Sequence, residues 1–349
     1  MDHHTTLLLT RDDTAALMCP ADYRRAVEAA FRARAEGLGA APPPMHVAAE
    51  GGGFHVKGAG FPPGSLAGDR GYVAFKVNGN FPDNRAHHGL PTIQGAIVLC
   101  DGATGQVLAL MDSIEITLQR TAAATAIAAT HLARPDASRI AICGCGDQAL
   151  HQLAALRDVL PLTKGWAWDA DPSRARRLAA AAGDLGLPMM AVERLADATL
   201  PCEVVVTCTT ARAPFLGPEH VAPGAFIAAV GADSPGKSEI QPALMAHATV
   251  VADSLSQALE MGDLRHAVAA GIVAPADGYA ELGEVVTGRR VGRTRADEIT
   301  LFDSTGMAIQ DVAAAAAIVE IAIARDLGLA IRLNDAARPG GGELRAAGR

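Results

Sequence analysis

Along the first third of the chain, apolar and polar residues alternate in short runs. Past Thr117 the apolar runs become unbroken and are spaced by helix-length segments. Alternation with period two marks strands with one wet face, whereas unbroken apolar runs mark strands buried on both. Residues 5–50 open with a short strand, Thr6–Leu9. Two helices follow, near Arg11–Met18 and Ala21–Ala35, until Pro42-Pro43-Pro44 breaks the helical pattern. Strands then recur at Phe54–Lys57, Tyr72–Val77, Gly95–Leu99 and Gln106–Leu110, separated by Gly, Pro and Asn/Asp turns. Asp101–Gly105 reads as the hairpin connection between the last two. This part predicts an antiparallel sheet.

From Thr117 the candidate strands are Arg139–Cys143, Gly165–Trp168, Met189–Val192, Val204–Cys208, Ala225–Val230, Thr249–Val251 and Ile299–Phe302. Helical runs lie between most of them, which predicts a parallel sheet covered on both faces. A long Ala/Ile helix, Ala308 to Ala324, follows, and a Gly/Ala/Arg-rich tail from Arg338 is expected to fray. The fold class is α/β: a Rossmann doubly wound parallel sheet plus a smaller α+β domain. Residues 1–117 and 316–349 form the smaller domain, with the C-terminal helix returning to it, and residues 118–315 form the dinucleotide-binding domain.

The chemistry begins at Ile140-Ala141-Ile142-Cys143-Gly144-Cys145-Gly146-Asp147-Gln148-Ala149. A charge-free apolar run ends in a glycine turn and opens onto a helix-like segment, Gln148–Leu156. Gly144 permits the tight turn, Gly146 lets backbone approach a pyrophosphate, and Ala149 is small where helix and strand pack. The helix start at Asp147 and Gln148 offers free N–H groups to the phosphates. The next apolar run ends at Asp169, 23 positions after Gly146. A carboxylate there accepts hydrogen bonds from the ribose hydroxyls of NAD and repels the 2′-phosphate of NADP, so NAD(H) is favoured over NADP(H). Arg174 and Arg176 soften that repulsion. The other reading of Asp169 is a cap for the helix that starts at Asp171-Pro172-Ser173. Thr207 and Thr209, after Val204–Val206, and Val230, closing its own strand, are placed to line the nicotinamide ribose. Asp303 and Ser304 end the last strand beside the cleft, and Asp303 could equally cap the helix that follows.

Composition narrows the class further. Of 349 residues, 50% are apolar but only 4% aromatic, so the core is Ala, Val, Leu and Ile. The formal net charge is −8 with no basic block, which argues against a nucleic-acid partner. No uncharged apolar run reaches membrane-spanning length, and Met1-Asp2-His3-His4 lacks the layout of a signal peptide; the expectation is a cytoplasmic protein. Six scattered cysteines, without a C-x-x-C pair, read as reduced thiols rather than a disulfide frame or zinc site. His87-His88 reads as a surface loop, and no metal is expected.

Five segments together resemble the ornithine cyclodeaminase/mu-crystallin family: Phe75–Asn84 (FKVNGNFPDN), Gln119–Ala124 (QRTAAA), Gly144–Ala149, Val230–Glu239 (VGADSPGKSE) and Thr300–Gly306 (TLFDSTG). Their order and spacing match over nearly the whole chain. The resemblance implies a homodimer built through the first sheet domain, with an active site in the cleft beside the Rossmann domain. It implies hydride transfer between nicotinamide and the α-carbon of an amino or imino acid, as in imine and ketimine reductases and amino-acid dehydrogenases. By the same resemblance Lys76 polarises the substrate or transfers a proton, Arg120 grips its carboxylate, and Asp233 is the acid/base or ammonium-binding carboxylate.

Departures from the family pattern shift the weight within it. Cyclodeaminases of the family carry an arginine just after a proline-containing loop, where this chain has Pro43-Pro44-Met45-His46. The strand that ends Leu-Met-Pro in many relatives ends Val56-Lys57-Gly58-Ala59 here, closer to the iminosuccinate-reductase-like branch. Imine reduction is therefore expected ahead of ornithine-type cyclisation with bound NAD, and ahead of nucleotide-gated small-molecule binding of the mu-crystallin kind. Lys57 is expected to stand in for the missing arginine as a substrate-binding cation.

Overall fold

The computed structural model describes residues 5–66, 68–274 and 278–333, and in them the chain builds two sheets. The tail from Arg338 and the first four residues lie outside the described part. The first sheet takes β1 (Thr6–Leu9), β2 (Met45–Ala49), β3 (Gly52–Phe61), β4 (Tyr72–Asn80), β5 (Ile93–Asp101) and β6 (Val107–Asp112). The second takes β7 (Arg139–Cys143), β8 (Lys164–Trp168), β9 (Met189–Ala191), β10 (Val204–Thr207), β11 (Phe226–Ala229), β12 (Ala248–Ala252), β13 (Ala280–Glu281) and β14 (Ile299–Asp303). The chain returns to the first sheet with β15 (Leu329–Ile331).

The second sheet runs in the order β13-β12-β14-β11-β10-β7-β8-β9, and its described pairs are all parallel. Its central strands β10 and β11 are buried along their whole length, as unbroken Val/Ala/Ile runs require. Chain direction across the sheet reverses between β7 and β10. In a doubly wound sheet that switch point opens a crevice at the carboxyl ends of the strands.

The first sheet, β15-β1-β6-β5-β4-β3-β2, contains the antiparallel sheet expected over residues 54–110 and extends it at both ends. Its β2 to β6 part is an antiparallel meander, but β1 lies parallel to β6 and antiparallel to β15. The two helices Arg11–Leu17 and Pro20–Ala35 separate β1 from the meander, so β1 reaches β6 by a crossover rather than a hairpin. Three strands lack a sequence signal. β2 is exposed throughout and shows no buried face, while β13 and β15 span only two and three residues. His87 ends a one-turn helix, Asn84–His87, rather than lying in a loop.

The pleat of the meander decides where its side chains go. In β4, Tyr72, Ala74 and Lys76 are buried while Phe75 and Val77 are exposed. Register puts Lys57 directly opposite Lys76, and His55 opposite Asn78, so these four share the inner face. Met45 and Val47 pair with Val56 and Phe54 on the outer face. The inner face is covered by the helix Ala308–Arg325, which packs on β3, β4 and β5, and by the helix Ser113–Leu132. These two helices also belong to the apolar cluster that continues under the second sheet. Both cross the expected boundaries at 117/118 and 315/316.

Candidate active site

Three charged side chains meet at the seam between these helices and β4. Lys76 donates to Asp311 at 2.8 Å and to Thr117 at 3.3 Å. Arg120 donates through Nε to Asp311 at 3.1 Å and through Nη1 to Gln310 at 2.8 Å. Lys76 and Arg120 are each 5% exposed and Asp311 2%. Thr117 and Arg120 lie one turn apart on one helix, Gln310 and Asp311 in the first turn of the other, so helix geometry sets the cluster. Isolated charges at such depth cost several kcal/mol each and persist only when paired. Burial pulls the Lys76 ammonium down to about 7, although Asp311 works to hold it up. Burial would raise the Asp311 carboxyl, but Lys76 and then Arg120 outweigh it and keep it below the usual range. Nη2 of Arg120 has no protein acceptor among the described residues.

The turn after β14 closes this pocket. Gly306 sits at φ +75°, and a Cβ there would lie 2.6 Å from Arg120 Nη1. Only glycine lets the guanidinium lie against the turn. Asp253, buried at the end of β12, accepts from Thr305 N at 3.1 Å, Thr305 Oγ1 at 2.9 Å and Gly306 N at 2.7 Å. Lys57 then donates to the carbonyl of Gly306 at 2.7 Å and of Thr305 at 3.4 Å. Burial, and next the nearby Arg120 charge, lower the Lys57 ammonium below its ordinary value. Lys57 thus stands in the same pocket as Arg120 and Lys76.

Across the crevice lies a cradle for a dinucleotide. Gly144 has φ +96°, and a Cβ there would come 2.7 Å from Thr209 Cγ2 and 2.8 Å from the Cys208 carbonyl. The helix Asp147–Arg157 starts from Gly146 with no side-chain cap, and a Cβ on Gly146 would meet open space. Uncapped N–H groups facing open space suit a pyrophosphate. Ala149 is fully buried in the first turn of the helix, and Gln148 donates to the Leu118 carbonyl at 3.0 Å. Asp169 follows β8 and accepts from Cys145 N at 2.7 Å and Asp171 N at 2.8 Å. The cap of the next helix is Asp171, through Ser173 N, so Asp169 stays beside the glycine turn. The residues fit a nicotinamide dinucleotide, for which Gly144, Gly146, Asp147 and Ala149 would border the phosphates and Asp169 would meet the ribose.

The other residues singled out from the sequence are distributed between the cleft and its supports. Asp233 is exposed after β11 and pairs with Lys237 at 2.7 Å. Thr207 is fully buried and donates to Glu239 at 2.6 Å, while Thr209 N and Gly231 N also bond Glu239, at 2.6 and 2.8 Å. Glu239 therefore ties the ends of β10 and β11 together, and burial with nearby Asp263 pushes its carboxyl up to about 7. Val230 and Ser304 are buried in backbone bonds to Thr207 and Ala229. Asp303 accepts from Asp263 N and Leu264 N, capping the helix Asp263–Ala269 rather than the helix that follows it. Burial and the adjacent Asp263 raise its carboxyl well above the usual range. Asp311, Gln310, Glu239 and Asp253 were not singled out from the sequence. For the first two a signal existed: an adjacent polar pair in the first turn of a helix whose other residues, Glu320 and Arg325 aside, are Ala, Ile and Val.

A lysine at about 7 and an arginine with a free donor edge, facing a dinucleotide cradle, are the parts that an amino- or imino-acid oxidoreductase needs. The model of the ornithine cyclodeaminase/mu-crystallin family matches residues 4–326. The chain belongs to this family. Within the family it is 37% identical to an alanine dehydrogenase of Archaeoglobus fulgidus over 327 residues, covering 94% of this chain and 98% of the relative. It is 36% identical to an iminosuccinate reductase of Paracoccus denitrificans over 318 residues, covering 90% and 96%. Among solved family structures, an archaeal alanine dehydrogenase dimer with bound NAD superposes with a TM-score of 0.89 at 36% identity, covering 95% of this chain and all of that one.

Proposed function

We propose that this chain reduces the C=N bond of a 2-imino acid to the amino acid, using a nicotinamide dinucleotide. It is a nicotinamide-dependent oxidoreductase acting on C–N bonds. The observation that carries the assignment is the buried Lys76–Asp311–Arg120 cluster, with Lys57 beside it, at the cleft that the Gly144–Gly146 cradle also borders.

When bound, the nicotinamide supplies the hydride that goes to the α-carbon. The chain's residues do the rest. Nη2 of Arg120 and the ammonium of Lys57 hold the carboxylate. Lys76, near neutrality in proton affinity, donates a hydrogen bond or a proton to the imine nitrogen, and Asp311 orients it. Asp233, on the opposite wall, takes the ammonium that develops.

In this reading NADH is preferred over NADPH, because Asp169 occupies the ribose position. The enzyme works in the cytoplasm as a homodimer, with the first sheet forming a substrate and dimerisation domain and the second a dinucleotide domain. Support for the dimer comes from the exposed apolar outer face of β2 to β6 and from the dimeric relative.

The test is a cofactor-balance assay with preformed cyclic imines and with 2-oxo acids plus ammonia or methylamine. One NADH is expected to disappear per amino acid formed. Ornithine consumed with release of ammonia and no net change in NADH would instead establish a cyclodeaminase. Lys76→Ala is expected to bind NADH normally yet lose at least roughly a hundredfold in kcat, the scale of acid/base help; near-normal kcat would overturn its role.

A further inference from the structure

Asp233 sits on a segment that does little to hold itself. The chain from Gly231 to Glu239 follows β11 and has no helix or strand of its own. Its base is closed. The Glu239 carboxylate accepts from Gly231 N at 2.8 Å, and Asp263 accepts from Ser238 Oγ at 3.1 Å, Glu239 N at 2.8 Å and Ile240 N at 3.1 Å. Its apex, residues 233–237, is exposed or half-buried. The apex's own bonds are local: Asp233 N to the Gly231 carbonyl, Lys237 N to the Ser234 carbonyl, and the Asp233–Lys237 ion pair. Asp233 nonetheless faces the pocket. Burial lowers the basicity of Lys57 and of His55, and the charge of Asp233 works against that at both.

Two side chains reach this apex from another element. Among the described residues, Arg265 and His266 alone bond its backbone from outside: Arg265 donates through Nη2 to the Pro235 carbonyl, and His266 donates through Nε2 to the Lys237 carbonyl at 3.0 Å. A carbonyl only accepts, which assigns the imidazole hydrogen to Nε2. Arg265 Nη2 stands 3.2 Å from that nitrogen, so the two side chains form one bracket. The helix that carries them, Asp263–Ala269, is firmly seated. Leu264 and Ala267 are fully buried, and Asp303 accepts from Asp263 N at 3.3 Å and Leu264 N at 2.9 Å. A Cβ on Gly262 would come 2.7 Å from Asp303 Oδ2, so glycine there lets the carboxylate reach the helix. Asp303 ends β14, and the turn that follows it packs on Arg120 and accepts from Lys57. The bracket therefore refers the Asp233 segment to the same strand end that carries the substrate-side turn.

We propose that Arg265 and His266 are positioning residues for the reaction: by clamping the Pro235 and Lys237 carbonyls they hold the Asp233 carboxylate where the substrate nitrogen gains its charge. This rests on the role given to Asp233 in the imine-reductase reading and extends it. A reacting group has to stay within about 0.5 Å of its productive place, and a shift of about 1 Å costs on the order of a hundredfold in rate. Without the bracket, a Ser-Pro-Gly turn at the surface has only its local bonds, and the carboxylate stays with Lys237 instead of meeting the substrate.

The experiment is a double-mutant cycle on kcat for NADH oxidation, run with whichever imine of the cofactor-balance assay turns over fastest. Arg265→Ala with His266→Ala is made in the wild type and in Asp233→Ala, and NADH affinity is titrated for each. In the wild type the pair is expected to lower kcat roughly tenfold or more, with NADH affinity changed less than about threefold. In Asp233→Ala, already slowed, the same pair is expected to lower kcat by less than about twofold, because the group it positions is gone. His266→Gln, which keeps a donor for the Lys237 carbonyl, is expected to retain most of the wild-type kcat. An equal loss in both backgrounds, a loss of NADH affinity that accounts for the fall, or an unchanged kcat in the wild-type background overturns the positioning role while leaving imine reduction standing. Near-normal kcat in Asp233→Ala alone removes the role of Asp233, and this proposal with it. Absence of NADH oxidation with any of those imines overturns imine reduction itself.

Discussion

Asp311 is the side chain on which the site turns, because among the described residues it alone bonds both Lys76 and Arg120. Asp311→Asn keeps the shape and removes the charge that holds the Lys76 ammonium up. The Lys76 pKa, about 7 with Asp311 present, is then expected to fall. Reduction needs the protonated lysine, so kcat/KM for a preformed cyclic imine should decline above pH about 7 in the wild type. In the variant the decline should begin at lower pH, with at least tenfold lower activity at neutrality. A pH profile on the cyclic imine checks this; an unchanged midpoint would separate Lys76 from the titrating group. At the ribose end, Asp169→Asn should narrow the preference for NADH. A wild type that binds NADPH tenfold better, about 1.4 kcal/mol, contradicts that role. Lys76 and Arg120 were legible in the sequence because cations interrupt apolar runs and match the family segments. Asp311 was not: its polar pair with Gln310 breaks the apolar pattern of the helix, but a helix read as apolar cover does not say which way its first turn faces.

Among elements, the turn after β14 carries the most constraint in the fewest residues. Its two amide N–H groups and the Thr305 hydroxyl are held by Asp253, its two carbonyls by Lys57, and its glycine by contact with Arg120. Gly306→Ala meets a left-handed backbone, a cost of roughly 1–2 kcal/mol, and displaces the guanidinium. The expected outcome is a KM raised tenfold or more with NADH affinity little changed, measured by steady-state kinetics and cofactor titration; an unchanged KM would remove the turn from the substrate pocket. Apart from β13, the strands of the second sheet were readable to within a residue or so because burial on both faces of its central strands leaves an unbroken apolar run. β2 and β15 were not: exposed or very short edge strands lack a buried face, and only the register of their neighbours fixes them. The parallel seam of β1 with β6 was hidden for a related reason, since pairing between distant segments leaves no local mark.

At the scale of the whole molecule, one apolar cluster spans both sheets and two long helices cross between them, so the cleft has a continuous floor. The outer face of the first sheet carries Met45, Val47, Phe54, Phe75, Val77 and Leu110 exposed together, a patch that soluble monomers rarely leave open. Phe75→Glu with Val77→Glu is expected to give a monomer in light scattering at micromolar concentration, where the parent is expected to be a dimer. A parent that is itself monomeric would contradict this interface. The net charge and the spread of charge along the chain spoke to partners but not to which sheet face pairs; the pleat, visible once Lys76 is known to be buried, settles which residues point outward. The central claim is that hydride passes to the α-carbon of an imino acid lying between the lysine–arginine cluster and the cofactor cradle. Reduction with NADH deuterated at the transferring position tests it most directly. Mass spectrometry of the amino acid should find one deuterium at the α-carbon per NADH oxidised, in wild type but not in Lys76→Ala over the same interval. Product formed without deuterium at that carbon, or NADH oxidised with no amino acid formed, would contradict it.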